Sequence, residues 1–263
     1  MDLGFEGRRV VVVGGTYGIG RAAATQMARE GAHLLIASRS ADNLQEAADA
    51  IEKAGGRRPE TVVADVTAPG AGETIAAAAA GLWTGLDVLV SAVGGSIRSA
   101  FTDLSDEDWL GNYTFNVLSA VRAIRALAPL LRAGHAPSIV TLGAAASKMP
   151  YQHQVVSNVH KAGLLGLTKT LASEFAADGI RVNCVAPGRT LTPLWTKRAD
   201  AMAAERGTDR ETILKEFSGE IPLGRFGEPE EVAVMVTWLS SPLAAYVTGQ
   251  AINVDGGIAK GLL

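Results

Sequence analysis

The chain has 263 residues, 48% hydrophobic and 19% charged, with a formal net charge of −3 and a single cysteine, Cys184. That is enough apolar mass for a full core without disulfides or metal, and a mildly negative chain with no long basic run argues against nucleic acid or an anionic membrane as a partner. A lone cysteine forms no internal bridge, and the start Met1-Asp-Leu-Gly-Phe-Glu-Gly has neither a basic leader nor an apolar signal core, so the expected setting is the cytoplasm.

Short β-branched runs alternate with longer helical patterns. Arg9–Val13 reads as a strand and Arg21–Glu30 as the helix after it; His33–Ala37 and Asn43–Ala54 repeat the unit. Arg58–Ala64 is a third strand, followed by an alanine-rich stretch around Ile75–Gly81, too short to cross a bilayer and suited to a helix packed tightly on a sheet. Val88–Val90 leads to the long helix Trp109–Arg132, Ser138–Leu142 to the helix His160–Ala177, and Arg181–Val185, Glu230–Leu239 and Ala251–Val254 complete the series. Gly31, Gly55 and Gly179 follow three of the helices as C-terminal caps. Continuous apolar strands suit a sheet covered on both faces, so the expected fold is one α/β domain over residues 1–263, a doubly wound (Rossmann) parallel sheet. The stretch 189–226, with Pro193, Gly207, Gly219 and Pro222 around two short helical patterns, falls after a late strand and is expected to form a lid over the strand ends.

Gly14, Thr16, Tyr17, Gly18, Ile19 and Gly20 follow the first strand and precede its helix. Glycines there permit a sharp turn and close approach of a pyrophosphate to free N–H groups at a helix N-terminus. The second strand ends in Ser38 and Arg39, where an NAD-preferring site carries an acid for the ribose 2′-hydroxyl; a hydroxyl and a guanidinium favour the 2′-phosphate of NADP(H) over NAD(H).

The spacing Gly-x-x-x-Gly-x-Gly, the Pro187-Gly188 strand end and the closing Ile252-Asn-Val-Asp-Gly-Gly257 resemble the short-chain dehydrogenase/reductase family over residues 8 to 257. The resemblance implies contacts to the dinucleotide from Asp65, Val66, Ala92, Gly94, Thr190 and Thr192, and no metal. Family catalysis uses a tyrosine acid/base, a lysine that holds the nicotinamide ribose, a carbonyl-polarising serine and an asparagine that anchors a water relay. Lys161 matches the lysine and Asn116 the asparagine. Ser157 stands at the tyrosine position and Ala144 at the serine position.

A serine hydroxyl is a far weaker acid than a phenol and too short to take its place. Replacement proton donors lie on the same segment, Tyr151 and His153, with His160 beside the lysine turned toward a helix or subunit contact. A substrate needing little acid help, an iminium, quinone or extended enone, also fits. The leading expectation is an atypical NADP(H)-dependent reductase of a small ketone, enone, quinone or imine. A redox-neutral dehydratase, isomerase or cyclase, and a nucleotide-binding pseudoenzyme, remain open. The resemblance further implies a homodimer or homotetramer built on the long helices, with Thr170–Phe175 as a small apolar contact stripe.

Overall fold

The computed structural model describes residues 2–261. Its strands are β1 (Arg9–Val13), β2 (His33–Ser38), β3 (Glu60–Val63), β4 (Val88–Ser91), β5 (Ser138–Leu142), β6 (Arg181–Pro187) and β7 (Ala251–Val254), all parallel in the order β3-β2-β1-β4-β5-β6-β7. The helices are α1 (Gly18–Arg29), α2 (Ala41–Lys53), α3 (Ala71–Leu82), α4 (Asp106–Tyr113), α5 (Ser119–Arg132), α6 (Val155–Glu174), α7 (Pro193–Arg206), α8 (Arg210–Ser218) and α9 (Pro229–Ser240).

Val10 and Val12 lie in one apolar core and Val11 and Val13 in a second, and all four are buried. Successive side chains of a strand point to opposite faces, so this pattern requires a covered sheet on both sides. Residues of α1, α2 and α9 fill the first core, and residues of α3, α5 and α6 the second. The alanine-rich stretch is helical and tight as expected: a Cβ on Gly72 would lie 2.5 Å from the Arg122 carbonyl oxygen of α5. Gly31, Gly55 and Gly179 end their helices at φ of 88°, 86° and 69°, conformations that favour glycine.

The long helix expected from Trp109 begins at Asp106, where Ser105 and Asp108 form a reciprocal capping box, and α4 runs into α5 through one π-helical turn, Thr114–Leu118. By length and composition Asp106–Arg132 is apolar enough to cross a membrane, but half of its most apolar stretch is buried in the protein, where Ala123, Ile124 and Leu127 belong to the second core. The Thr170–Phe175 stripe departs from expectation. Ala172 is in the core, with Leu171 and Phe175 packed against it, so its apolar members cover the sheet and the outward positions are Thr170, Ser173 and Glu174.

The stretch 189–226 does hold two helices, α7 and α8, and it has a core of its own. Ala199, Ala203, Ile213, Phe217, Ile221 and Phe226 pack with Ala145 and Ile258, and the Trp195 ring meets Phe217 and Phe226 edge-on at 5.4 and 5.0 Å. Several of its residues, among them Arg189, Thr190, Trp195 and Phe217, border the cavity described below.

At the amino end of the sheet Asp87 ties β4 to β1. Its carboxylate accepts from Arg9 Nε (3.0 Å), Arg9 Nη2 (2.6 Å), the Arg9 N–H (2.8 Å) and the His135 N–H (2.7 Å), and its side chain is 4% exposed. Burial acts to raise the Asp87 pKa, but the bonds from Arg9 and from the two N–H groups outweigh it and hold the group below its ordinary value. Asp87→Ala is expected to lower unfolding free energy by about 3 kcal/mol in a denaturant titration, because the Arg9 guanidinium and two N–H groups lose their acceptor. With a depressed folded pKa, this contribution is present above pH 3.8 and is lost as pH falls through the folded value. An unchanged midpoint would contradict this account of Asp87.

Candidate active site

The strand order reverses between β1 and β4, and ligands of open α/β sheets bind in the crevice at the carboxyl ends beside such a reversal. A cavity of about 870 Å³ occupies this place. Every residue expected to contact a dinucleotide, from Gly14 in the glycine turn to Thr192 after β6, borders it.

The glycine turn is sterically obligatory. Gly14 has φ of 83° and Gly18 of 51°, and a Cβ on Gly20 would lie 2.2 Å from the Gly14 carbonyl oxygen and 2.9 Å from Ala92 Cβ. Thr16 Oγ1 donates to Ser38 Oγ at 3.4 Å, linking the turn to the end of β2. Arg39 is exposed beside it, and among the described residues it takes part in none of the ion pairs. Asp65 is engaged locally, accepting from Thr67 Oγ1 (2.7 Å) and the Thr67 N–H (2.9 Å), which hold its carboxyl below the usual range. The turn therefore offers free N–H groups at the start of α1 and an unpaired guanidinium at the end of β2, a donor set that fits a pyrophosphate and a 2′-phosphate.

Lys161 lies on the inner face of α6, fully enclosed, and its Nζ donates to the Leu142 carbonyl at 2.8 Å. Burial pushes its pKa down to about 8. A Cβ on residue 94 would sit 2.4 Å from that Nζ and 3.0 Å from Asn116 Oδ1, so Gly94 lets both groups close on the turn after β4.

Asn116, in the π-helical turn, does not border the cavity. Its Oδ1 accepts from the Gly95 N–H at 3.0 Å and its Nδ2 donates to the Asn112 carbonyl (3.1 Å) and Asn112 Oδ1 (2.9 Å). His160 completes the chain. Asn112 Oδ1 can only accept, so the His160 proton is on Nδ1, 2.9 Å away, and burial lowers the ring's pKa. Trp109 and Tyr113 flank the ring edge-on at 5.6 Å each. The expected contact of His160 with a helix is thus a specific one. Asn112 was not anticipated, although it lies one turn before Asn116 and that spacing could have suggested it.

Ser157 faces the cavity but is engaged by a neighbouring segment: its Oγ accepts from the Ile97 N–H at 3.2 Å. Ala144 offers only backbone, and its N–H donates to Ser147 Oγ at 3.2 Å. The two replacement donors separate clearly. His153 does not border the cavity; it is exposed in the left-handed region at φ of 59°, and its carbonyl accepts from the Ser99 N–H. Tyr151 borders the cavity, packs on the core of residues 189–226, and its hydroxyl is buried with no hydrogen-bond partner among the described residues. Burial raises its pKa, with Arg189 acting in the opposite sense, so the phenol keeps its proton at neutral pH.

Residues 14–259 match the family described as enoyl-(acyl carrier protein) reductase. A putative ketoacyl reductase of the monensin polyketide synthase of Streptomyces virginiae is 34% identical, over 96% of this chain and 97% of its own length. The structure of L-sorbose reductase from Gluconobacter frateurii, complexed with NADPH and L-sorbose, superposes with a TM-score of 0.95 at 36% identity over the whole of both chains. An NADPH-bound short-chain oxidoreductase of Pseudomonas aeruginosa PAO1, described as containing an atypical catalytic center, has a TM-score of 0.88 at 29% identity, over 97% of this chain and 99% of its own.

Because the Lys161 pKa of about 8 lies below the ordinary 10.5, the folded protein binds fewer protons than the unfolded chain between those values. Stability contributed by this group therefore rises with pH across that window. Lys161→Met is expected to stabilise the cofactor-free protein at pH 7 by on the order of 3 kcal/mol and to remove that part of the alkaline rise. Thermal unfolding from pH 7 to 10 checks this, and identical pH profiles for the two proteins would contradict it.

Proposed function

This chain belongs to the short-chain dehydrogenase/reductase family, and from that premise we propose that it is an NADP(H)-dependent reductase of a small ketone, enone, quinone or imine, with Tyr151 in place of the usual acid. The observation that carries this reading is that Tyr151 borders the same cavity as Lys161 and keeps a buried hydroxyl without a hydrogen-bond partner among the described residues, while Ser157 on that cavity is already engaged by Ile97.

NADPH complexes among the relatives support the choice of dinucleotide, and Ser38 with the unpaired Arg39 supports phosphate at the 2′ position. When bound, the nicotinamide supplies a hydride to the substrate. Lys161 would hold the nicotinamide ribose, and its ammonium, released from part of its burial cost by a polar partner, would stay charged. Pro187, Gly188, Thr190 and Thr192 would flank the nicotinamide. The lid excludes water, which strengthens each electrostatic contact inside.

Tyr151 then delivers the proton that a reduced carbonyl needs. A positioned general acid contributes roughly 10²–10⁴ in rate, whereas an iminium accepts hydride without one. Asn116, with its amide spent on Gly95 and Asn112, acts by fixing the turn that carries Gly94 rather than by binding a reactant. Exposed Leu110 and Tyr113 on α4 and Val159 on α6 support self-association of these helices into a dimer or tetramer.

Two measurements test this reading. Tyr151→Phe is expected to lower kcat for ketone reduction about 100-fold while leaving NADPH affinity and iminium reduction within a few-fold of wild type; equal loss on both substrate classes, or no loss, would overturn the role of Tyr151. Arg39→Ala is expected to weaken NADPH about 10-fold or more and leave NADH unchanged in fluorescence titrations. Equal weakening of both dinucleotides would place Arg39 outside the 2′-phosphate contact.

A further inference from the structure

The lid end of the cavity is unusually cationic. Arg98, Arg189, Lys197 and Arg198 border it, against one carboxylate, Glu220. Glu220 is already committed: it accepts from Arg189 Nη2 at 2.5 Å, and Arg189 also donates to the Phe217 carbonyl and lies over the Phe217 ring at 4.6 Å. Among the described residues, no carboxylate pairs with Arg98, Lys197 or Arg198.

The position of the pair Arg98 and Arg198 is fixed by the backbone that covers Ser157. Ile97 donates to Ser157 Oγ, Ser96 on one side of it accepts from Arg198 Nη2 at 2.5 Å, and Arg98 follows on the other side. The Arg198 guanidinium is held over the Trp195 ring at 5.0 Å. Two guanidiniums thus flank the segment lying on the family's reacting position. Burial, and after it the charges of Arg98 and Arg189, press the Arg198 pKa down, yet a guanidinium stays protonated in proteins, so the repulsion persists until an anion answers it. The pyrophosphate of a dinucleotide is served by the glycine turn and the start of α1, which contribute none of these side chains.

We propose that Arg98 and Arg198 form a recognition site for an anionic oxyacid group, a carboxylate or a phosphate, carried by the substrate close to its reacting carbon. The proposal rests on the reductase reading, since that reading puts the substrate in this chamber, and it narrows the substrate to an oxo acid or a phosphorylated ketone. A guanidinium matches either group with paired, charge-assisted hydrogen bonds.

The test uses matched probes on the NADP(H)-loaded protein: acetoacetate against methyl acetoacetate, and dihydroxyacetone phosphate against dihydroxyacetone. Binding is read by quenching of tryptophan fluorescence in the NADP⁺ complex, since Trp195 lies under Arg198, and turnover by oxidation of NADPH. At least one anionic probe is expected to bind about 10- to 100-fold more tightly than its neutral partner. The carboxylate and phosphate arms tell which oxyacid the site takes. Arg198→Gln is expected to erase that ratio and Arg198→Lys to restore part of it. Arg98→Gln, at an exposed position, gives an independent reading if the Arg198 variants fold poorly. Anion-selective binding without NADPH oxidation would sustain this proposal while removing the reductase reading. Equal binding of charged and neutral probes, or tighter binding of the neutral ones, would overturn the anion site even if NADPH is consumed.

Discussion

The catalytic half of this protein is organised around a side chain that is missing. With no Cβ at position 94, the turn after β4 closes on Lys161 Nζ and Asn116 Oδ1 together, and those two groups belong to different helices. The Lys161 ammonium is then enclosed with the Leu142 carbonyl as its acceptor, and the Asn116 amide oxygen holds the Gly95 N–H. Farther along the same segment the Ile97 N–H donates to the Ser157 hydroxyl. The buried lysine, the covered serine and the arginines on either side of Ile97 all follow from how closely one turn packs on α6.

That geometry separates the two halves of the site. The nucleotide half is built from local rules: a glycine turn that tolerates no Cβ at residue 20, a helix N-terminus behind it, and Arg39 free at the end of β2. The proposed chemical half rests instead on side chains brought together from separate segments, with Ser157 and Tyr151 both on the cavity wall. Tyr151 lies on the loop before α6 and not on the helix itself; it borders the cavity and packs against the core of residues 189–226. Its hydroxyl is a buried donor without a partner, a costly arrangement that a substrate heteroatom would relieve. The stretch 189–226 also carries the aromatic wall on which Arg189 and Arg198 are stacked.

Much of this was legible in the sequence. Arg9–Val13, Ser138–Leu142 and Ala251–Val254 are strands with the bounds that their apolar runs suggest, because strands covered on both faces carry an uninterrupted pattern. The glycine turn was equally legible, since Gly14 and Gly20 are required by atoms only a few residues or one strand away. Helix starts were read too late: α6 begins at Val155, five residues before the expected His160, because its first turn is fixed by tertiary contacts and lacks a side-chain cap. His153 lies exposed outside the cavity lining with a left-handed backbone, a conformation that no residue pattern announces. Asn112 with His160, and Arg198 with Ser96, meet across 48 and 102 residues of chain, so their partnership is a property of the fold.

The central claim is that Tyr151 supplies the proton to a substrate held in this chamber with a phosphorylated dinucleotide. A crystal structure of the ternary complex with NADP⁺ and an oxo-acid ligand measures it most directly. The account predicts Tyr151 Oη about 2.6–3.2 Å from the ligand oxygen that faces the nicotinamide, with Lys161 on the ribose. Finding that oxygen bound to Ser157 or to a water held by other residues, with Tyr151 Oη turned away, would contradict it.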